Sequence, residues 1–248
     1  MLEAIIFDVD GTLAETEETH RRAFNAAFAA HGLSWHWDAD TYRGLLHVGG
    51  GRERIRHHAH AVSPETPETV IQAVHEHKSR LYAAWVEAGA LTPRPGVVRL
   101  LTEAQAAGIP VACATSSQRT AVVALLHSIL GPGAENLFAV LGCGNDTARK
   151  KPAPDIYRSV LERLGLPADA CIAIEDTAVG LTSSLAADVP SVVALSDYSE
   201  PVDFAGALAV VSDLGEPERP FSLIRGDAFG GGWVDVTLLR RWHDVRKR

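Results

Sequence analysis

The chain of 248 residues lacks several features that would place it in a special class of protein. It has no run of about 18 apolar residues, the length that a transmembrane helix requires. Residues 1–3 lead straight into an apolar segment, without the cationic and apolar leader of a secreted protein. There is no internal repeat and no low-complexity tract. These absences predict a cytoplasmic protein without a membrane partner.

Positive charge is also scarce, because 23 Lys and Arg stand against 31 Asp and Glu and the net charge is -8. Nucleic acids and anionic membranes bind basic surfaces, so neither is expected as a partner. An anionic substrate would need Arg and Lys concentrated locally. The length suits one core domain with an inserted cap. We expect the protein to be a monomer.

Cysteines are few, and the histidines lack the spacing of a metal site. Cys113, Cys143 and Cys171 each lie in an apolar run, which predicts buried thiols and neither disulfides nor a metal site. Histidines cluster at residues 57–60 and 75–77, but no cysteine or acid completes a zinc pattern there. We therefore expect these histidines to lie on a solvated surface.

The chain does contain a pair of carboxylates directly after an apolar run. Residues 4–7 suit a strand buried on both faces of a parallel sheet. Asp8 and Asp10 follow at its carboxyl end, where open α/β sheets bind ligands. Two carboxylates so close repel each other unless a cation or a shared proton lies between them. The segment predicts a Mg²⁺ site with one nucleophile and one acid/base; the alternative, a polar turn, explains Gly11 but not both acids.

A second predicted strand ends in hydroxyl side chains. The apolar run at residues 109–114 is followed by Thr115, Ser116 and Ser117. Their hydroxyls and backbone N–H groups suit a phosphate at the start of a helix. For Ser117, the cap of that helix is the alternative role.

Two further segments complete the set of polar residues near strand ends. Lys151 precedes Pro152, which favours extended backbone at the lysine. The apolar run at residues 171–174 ends in Glu175 and Asp176. A second acid pair therefore follows a predicted buried strand.

Alternating apolar and amphipathic segments predict an α/β fold, a Rossmann-like parallel sheet with helices on both faces. Residues 16–90 have helical periodicity alone, which predicts an inserted α-helical cap. Residues 14–16 and 92–96 are then a two-strand hinge. The core comprises residues 1–15 and 91–248.

The core strands and the end of the chain can also be placed. A C-terminal extension begins at about residue 213 and contains an amphipathic stretch at 235–246, whose role stays open. The predicted strands lie in residues 3–13, 109–114, 138–142, 171–175, 190–194 and 207–211.

The four motifs, in this order, resemble those of the haloacid dehalogenase-like phosphatase superfamily, in the branch with a small helical cap. The resemblance implies that Asp8 is the nucleophile that becomes an aspartyl phosphate and that Asp10 is the acid and base. Proton donation by Asp10 needs a raised pKa, which a neighbouring carboxylate would supply. Thr115, the backbone of Ser116 and Lys151 then neutralise the phosphoryl charge.

The same resemblance implies a Mg²⁺ cofactor with oxygen ligands. The implied ligands are the carboxylates of Asp8 and Asp176 and the main-chain carbonyl of Asp10. Glu175 is expected to contact these ligands without binding the ion directly, or to bind the ion through a water molecule. Glu15 departs from the family pattern, since many members have Asp at this position of the hinge.

Several cap residues are candidates for binding the substrate. Arg52 and Arg54 follow a glycine loop at a helix start, and arginine binds phosphate bidentately, although solvated helix charges are the alternative. Glu17 and His20 lie on the inward stripe of the first cap helix. The predicted substrate-binding residues are Glu17, His20, Tyr42, Gly50, Arg52, Arg54, Ser116 and Ser117.

A narrower resemblance, to the CbbY-type proteins of autotrophic metabolism, is carried by residues 10–17, 49–54 and 230–233. It implies a phosphatase for a sugar bisphosphate, with xylulose-1,5-bisphosphate, an inhibitor of Rubisco, as the expected substrate. One alternative is a phosphomutase like β-phosphoglucomutase, which shares the motifs. The other is a non-catalytic binding protein, against which the intact Asp8 and Lys151 argue.

Overall fold

The computed structural model describes residues 1–199 and 202–245, so the last residues of the predicted extension, 246–248, lie outside the described part. Within these ranges seven strands form one sheet. The strands are β1 (Ala4–Phe7), β2 (Val111–Ala114), β3 (Phe138–Gly142), β4 (Cys171–Glu175), β5 (Ser191–Ala194), β6 (Ala209–Val211) and β7 (Leu223–Arg225).

The sheet has the strand order β3-β2-β1-β4-β5-β6-β7. β1 to β6 are parallel, which confirms the predicted parallel sheet. β7 pairs antiparallel with β6 at the edge, and its segment was not predicted as a strand. Because β1 lies between β2 and β4, the carboxyl ends of all three meet at the point where the strand order reverses, where such sheets bind ligands.

Helices cover both faces of this sheet and form the insertion after β1. Alternate residues of β1 point to opposite faces, with Ile5 and Phe7 in one buried cluster and Ala4 and Ile6 in another. The core helices are α5 (Val97–Ala106), α6 (Arg119–Leu130), α7 (Asp155–Leu164), α8 (Ala178–Leu185) and α9 (Val236–Val245). The cap helices are α1 (Glu17–Ala30), α2 (Ala39–Leu45), α3 (Gly51–Val62) and α4 (Glu68–Glu87).

The cap helices enclose an aromatic cluster of their own. Phe24, Phe28 and Trp37 pack with ring centroids 4.8 Å apart for each Phe–Trp pair. The chain passes between cap and core at two adjacent segments, where Ala14 pairs with Pro93 and the Arg94 N–H donates to the Leu13 carbonyl over 2.9 Å. This arrangement fits the predicted hinge, and the cap limits of 16 and 90 stay a prediction.

The C-terminal extension completes one face of the core. Val236, Leu239 and Trp242 of α9 are buried in the same cluster as the β1 residues Ile5 and Phe7. The Trp242 indole N–H also donates to the Asp227 carbonyl over 2.7 Å. The amphipathic stretch predicted at 235–246 is therefore a packed helix over Val236–Val245, and its buried apolar residues contribute to the core.

The remaining expectations from composition concern cysteines and membrane segments. Cys113, Cys143 and Cys171 are free and buried, as predicted. No described helix combines the length and the apolar character needed to cross a membrane.

The packing of α9 predicts a large loss of stability in Trp242→Ala. The side chain is 2% exposed, and removing a buried Trp typically costs ~3–5 kcal/mol. Val245→Ala on the same helix is the matched control, because Val245 is 53% exposed. Urea unfolding curves measure both changes. Equal stability of the two variants would contradict a structural role for the extension.

Candidate active site

The sheet register brings the predicted strand-end residues together. Phe7 of β1 pairs with Ile174 of β4 and with Cys113 of β2. The next residue, Asp8, donates its N–H to the Ile174 carbonyl over 2.9 Å, which places its carboxyl group beside Glu175. The residues that the sequence places at strand ends therefore converge in one buried region.

Three carboxylates form the centre of this region. Asp8, Glu175 and Asp176 are all buried, and one oxygen from each lies within 4.8 Å of the others. Glu175 Oε2 and Asp176 Oδ1 are buried without a hydrogen-bond partner among the described residues. Buried carboxylate oxygens without a partner are costly, and oxygen ligands of this kind suit Mg²⁺ or another hard cation. The donor set therefore fits a divalent cation.

Two glycines make room for these carboxylates. A Cβ atom on Gly180 would lie 1.8 Å from Glu175 Oε2, and one on Gly11 would lie 2.0 Å from Asp176 Oδ2. Gly11 also has a φ of +79°, which favours glycine. Both acids of the second pair thus depend on glycines elsewhere in the chain.

Lys151 neutralises part of this negative charge. Its Nζ donates to Asp8 Oδ1 over 2.7 Å and to Glu175 Oε1 over 2.6 Å. The Tyr157 hydroxyl donates to the same Glu175 oxygen. Burial alone would lower the pKa of Lys151, but the two carboxylates outweigh it and raise that pKa. Lys151 is therefore a firmly held cation beside the predicted nucleophile.

Despite Lys151, the carboxyl groups of Asp8 and Asp176 are hard to ionise without a further cation. Burial, only partly offset by Lys151, raises the pKa of Asp8 to about 8. Burial and the neighbouring Asp8 raise the pKa of Asp176 well above its usual range. A bound cation would favour the ionised forms of both groups.

Asp10 differs from these three acids, because its carboxylate is directed to other partners. Oδ1 accepts hydrogen bonds from Thr16 Oγ1 at 2.7 Å and His20 Nε2 at 3.1 Å, and Oδ2 accepts one from Ser117 Oγ at 2.5 Å. Burial would raise the pKa of Asp10, but these hydrogen bonds outweigh it and lower the pKa below its usual range. The raised pKa expected from the sequence is wrong for this arrangement.

A buried lysine that the sequence analysis missed completes a chain of polar contacts to Asp10. Lys78 Nζ lies 2.6 Å from His20 Nδ1, and the His20 ring stacks on Tyr82 at 3.9 Å. A protonated Lys78 donates to Nδ1, which leaves the histidine proton on Nε2, where it donates to Asp10. Burial lowers the pKa of Lys78 to about 7. Its signal in the sequence is a lysine at four-residue spacing between Val74 and Tyr82, on the buried stripe of α4.

A cavity of about 180 Å³ lies between this centre and the cap. Tyr42 and Arg52, both predicted to bind substrate, do not line it. Its core side is lined by Asp8, Asp10, Thr115, Ser116, Ser117, Lys150, Lys151, Glu175 and Asp176. Its cap side is lined by Glu17, His20, Gly50, Arg54, His75 and Lys78.

Tyr42 lies behind the cavity and links two of its lining residues. It is fully buried, donates its hydroxyl to Glu17 Oε2 over 2.5 Å and accepts from Arg54 Nη1 at 3.0 Å. Arg54 also donates to the Leu45 carbonyl over 3.1 Å. The side chains of Glu17 and Arg54 are therefore held in place, while Arg52 is half-buried at the start of α3, away from the cavity lining.

Two further expectations need correction. Ser117 is not the cap of α6, because Gln118 holds that position and the Ser117 hydroxyl binds Asp10. His75 is not a solvated surface residue, since it is half-buried and lines the cavity. Burial, followed by the nearby Lys78 and Lys150, lowers the pKa of His75 to about 4.

Known proteins resemble the chain over most of its length. A family model of haloacid dehalogenase-like hydrolases matches residues 2–188. The sequence is 48% identical to the plasmid protein CbbY of Cupriavidus necator, over 98% of the chain and 97% of that protein. It is 42% identical to CbbY of Rhodobacter capsulatus, over 86% of the chain and 94% of that protein.

Solved structures show the same fold. A variant of CbbY from Rhodobacter sphaeroides, in complex with xylulose-1,5-bisphosphate, is 40% identical and has a TM-score of 0.83, with 86% of this chain and 95% of that chain covered. A β-phosphoglucomutase from Clostridium difficile has a TM-score of 0.75 over 100% and 99% of the two chains. At 19% identity the mutase supports the fold alone.

The acid cluster predicts that stabilisation by Mg²⁺ grows with pH. Without a cation, the raised pKa of Asp8 contributes stability that is present at low pH and is lost as the pH rises through about 8. A cation binds the ionised carboxylates, so its contribution increases over the same interval. We expect the Mg²⁺-dependent rise in melting temperature to be larger at pH 9 than at pH 6 by at least about 2–4 °C, the shift that 1 kcal/mol gives in a chain of this size.

Thermal melts with chelator and with Mg²⁺ at both pH values measure this difference. Asp8→Asn is the informative variant, because the amide cannot ionise and the pH dependence should weaken, with Asp176 as the remaining carboxylate of raised pKa. An equal effect of Mg²⁺ at both pH values in the wild-type protein would contradict cation binding at these carboxylates.

Proposed function

The chain belongs to the haloacid dehalogenase-like hydrolases, and we propose that it is a Mg²⁺-dependent phosphatase that acts on xylulose-1,5-bisphosphate. The observation that carries the proposal is a cavity with the carboxylate cluster on its core side and Arg54 on its cap side. In such a cavity, one phosphate of the substrate can lie at the nucleophile Asp8 and the other at the Arg54 guanidinium. The CbbY relatives, one of which is solved with this bisphosphate, support the same substrate.

Asp8 is the proposed nucleophile. Its carboxylate oxygen attacks phosphorus, the bond between phosphorus and the sugar oxygen breaks, and an aspartyl phosphate forms. Lys151, which already contacts Asp8, lies where it can neutralise the phosphoryl oxygens together with Thr115 and the backbone of Ser116. Asp8, Asp176, the Asp10 carbonyl and, more remotely, Glu175 would hold Mg²⁺. When bound, the cation supplies positive charge that favours ionised Asp8 and offsets the charge of the phosphoryl group.

Asp10 is the proposed acid and base. It gives a proton to the departing sugar oxygen and then takes one from the water that hydrolyses the aspartyl phosphate. Three donors keep Asp10 ionised before substrate binds. At least one of them must release Asp10, so that its pKa rises and it takes up a proton from solvent before it protonates the sugar oxygen. Thr16 and His20 are the donors at the beginning of the cap segment, so a change in cap position on substrate entry is the proposed trigger.

Arg54 is the proposed site of the second phosphate. Its guanidinium lines the cavity and spends three of its five N–H groups on Tyr42, Leu45 and Val48, which leaves two donors for a ligand. Lys150 also lines the cavity, and its Nζ forms an ion pair with Glu53 Oε2 of the cap at 3.3 Å. A phosphomutase is not favoured. A cytoplasmic location and a monomeric state stay predictions.

Asp8→Asn is expected to abolish the release of phosphate from xylulose-1,5-bisphosphate. The amide keeps the shape of the side chain but cannot attack phosphorus, and loss of a covalent nucleophile costs several orders of magnitude in kcat. Asp40→Asn is the matched control, because the Asp40 side chain is 95% exposed. Phosphate release with Mg²⁺ and with excess chelator measures both variants. More than about a tenth of the wild-type rate in Asp8→Asn would exclude this nucleophile, since that loss is below ~1.4 kcal/mol.

Arg54→Gln should discriminate between bisphosphates and monophosphates. Loss of a charged hydrogen bond worth ~1.5–3 kcal/mol lowers kcat/KM for the bisphosphate by about 10- to 150-fold. The monophosphate should lose little. Arg52→Gln removes the same charge from the same helix, outside the cavity lining, and should affect neither substrate.

The measurement is kcat/KM for a pentulose bisphosphate and its monophosphate in the wild type and both variants. Equal losses on the two substrates in Arg54→Gln would leave a phosphatase that does not recognise a second phosphate through this residue.

A further inference from the structure

The segment after β5, residues 196–199, contacts both the candidate metal site and the cap. We call it the 196–199 loop. The loop follows β5, which lies next to β4 in the sheet. β4 ends at Glu175, and Asp176 is the next residue. None of its residues was singled out as a site residue from the sequence.

On the core side, two serines hold Asp176. Ser196 Oγ donates to Asp176 Oδ2 over 2.7 Å, and Ser199 Oγ donates to the Asp176 main-chain carbonyl over 2.6 Å. The Ser196 N–H donates to Ser199 Oγ over 2.7 Å, which joins the two contacts. With Oδ2 engaged, the oxygen of Asp176 that stays without a partner is Oδ1, one of the two unpaired carboxylate oxygens of the cluster. The loop therefore fixes the orientation of this carboxylate.

On the cap side, Tyr198 is buried among residues of α1 and α2. Its hydroxyl donates to Glu18 Oε2 over 2.5 Å, and Arg21 pairs with the same carboxylate at 2.6 Å. Its ring meets Tyr42 edge-on at 5.7 Å, and the Arg43 guanidinium lies 5.3 Å from the ring centroid. These contacts tie the Tyr198 side chain to the position of the cap.

The loop is also attached to the hinge. The Asp197 N–H donates to Glu15 Oε2 over 3.3 Å, and Glu15 pairs with Arg94 at 2.7 Å. Arg94 donates in turn to the carbonyl of Leu195, directly before the loop. Glu15, the residue that departs from the family pattern, thus connects the hinge to the 196–199 loop.

We propose that the 196–199 loop is a positioning element that couples the cap to the metal site, with Tyr198 held by the cap and Ser196 orienting Asp176. The two contacts are only two residues apart in the chain. A displacement of Tyr198 with the cap must therefore shift Ser196, and a hydrogen bond tolerates little change in length or angle. The proposal rests on the proposed function, because it assigns Asp176 to Mg²⁺.

The test is a double-mutant cycle on Mg²⁺ affinity in the full chain without substrate, measured by calorimetric titration. Ser196→Ala should weaken Mg²⁺ binding about tenfold or more, the usual cost of losing a residue that orients a metal ligand. Tyr198→Phe removes only the hydroxyl that binds Glu18 and should weaken Mg²⁺ binding as well. The double variant should bind no more weakly than Ser196→Ala, because Tyr198 acts through Ser196.

Two further variants separate positioning from general damage. Ser196→Thr keeps the hydroxyl donor and should stay within about twofold of the wild type. Ser128→Ala removes a serine hydroxyl that donates to the Val86 carbonyl, between α6 and α4 and away from Asp176, and should leave Mg²⁺ affinity unchanged.

Several outcomes would overturn the proposal. Wild-type affinity in Tyr198→Phe, or additive losses in the double variant, would mean that the cap contact does not reach Asp176. Wild-type affinity in Ser196→Ala would mean that Ser196 does not orient the ligand. A wild-type protein that does not bind Mg²⁺ would instead defeat the metal assignment of the proposed function, and the coupling with it.

Discussion

The mutual repulsion of three buried carboxylates at the ends of β1 and β4 is the constraint on which the rest of the site depends. Asp8, Glu175 and Asp176 bring three potential negative charges within 4.8 Å, and Lys151 supplies one positive charge beside two of them. Such a cluster is costly in a protein interior unless further positive charge joins it. The fold holds the cluster together through the strand register and through Gly180. A divalent cation fits this excess of negative charge, and in the proposed function the cation and Lys151 together offset the charge of the phosphate ester.

The parts of the site that could be predicted from the sequence are those that local pattern determines. Asp8 directly follows an apolar run, and parallel pairing of β1 with β4 brings Asp8 beside Glu175. The two apolar runs and the acids that follow them are therefore enough to predict this contact. Lys78 could not be placed in the same way, because its partner His20 is 58 residues away and the contact depends on how α1 packs on α4. β7 was missed for a related reason. Its three exposed residues have no buried face, so pairing with β6 alone defines the strand.

Asp10, the proposed acid and base, shows where a pKa inferred from charge proximity was wrong. Asp10 stands two residues from Asp8, and repulsion between them was expected to raise the Asp10 pKa. The structure gives Asp10 three hydrogen-bond donors, and these outweigh burial. Two of the donors, Thr16 and His20, come from the beginning of the cap segment, while Ser117 comes from the segment after β2. The lowered pKa of Asp10 thus depends on contacts from both the cap segment and the core, which no local pattern encodes.

In the proposed mechanism, cap position therefore bears on both halves of the chemistry. Through His20 it would affect the proposed acid and base, Asp10, and through Tyr198 and Ser196 it would affect Asp176 of the acid cluster. If these contacts change together when a ligand draws the cap onto the core, a ligand that does not engage the cap leaves Asp10 ionised and Asp176 less well oriented. A second phosphate bound by Arg54 would then contribute to the rate as well as to affinity, since remote binding energy is used to orient the reacting groups. Such a dependence on cap position would let the protein prefer a bisphosphate to a monophosphate without any additional contact at the reacting phosphate.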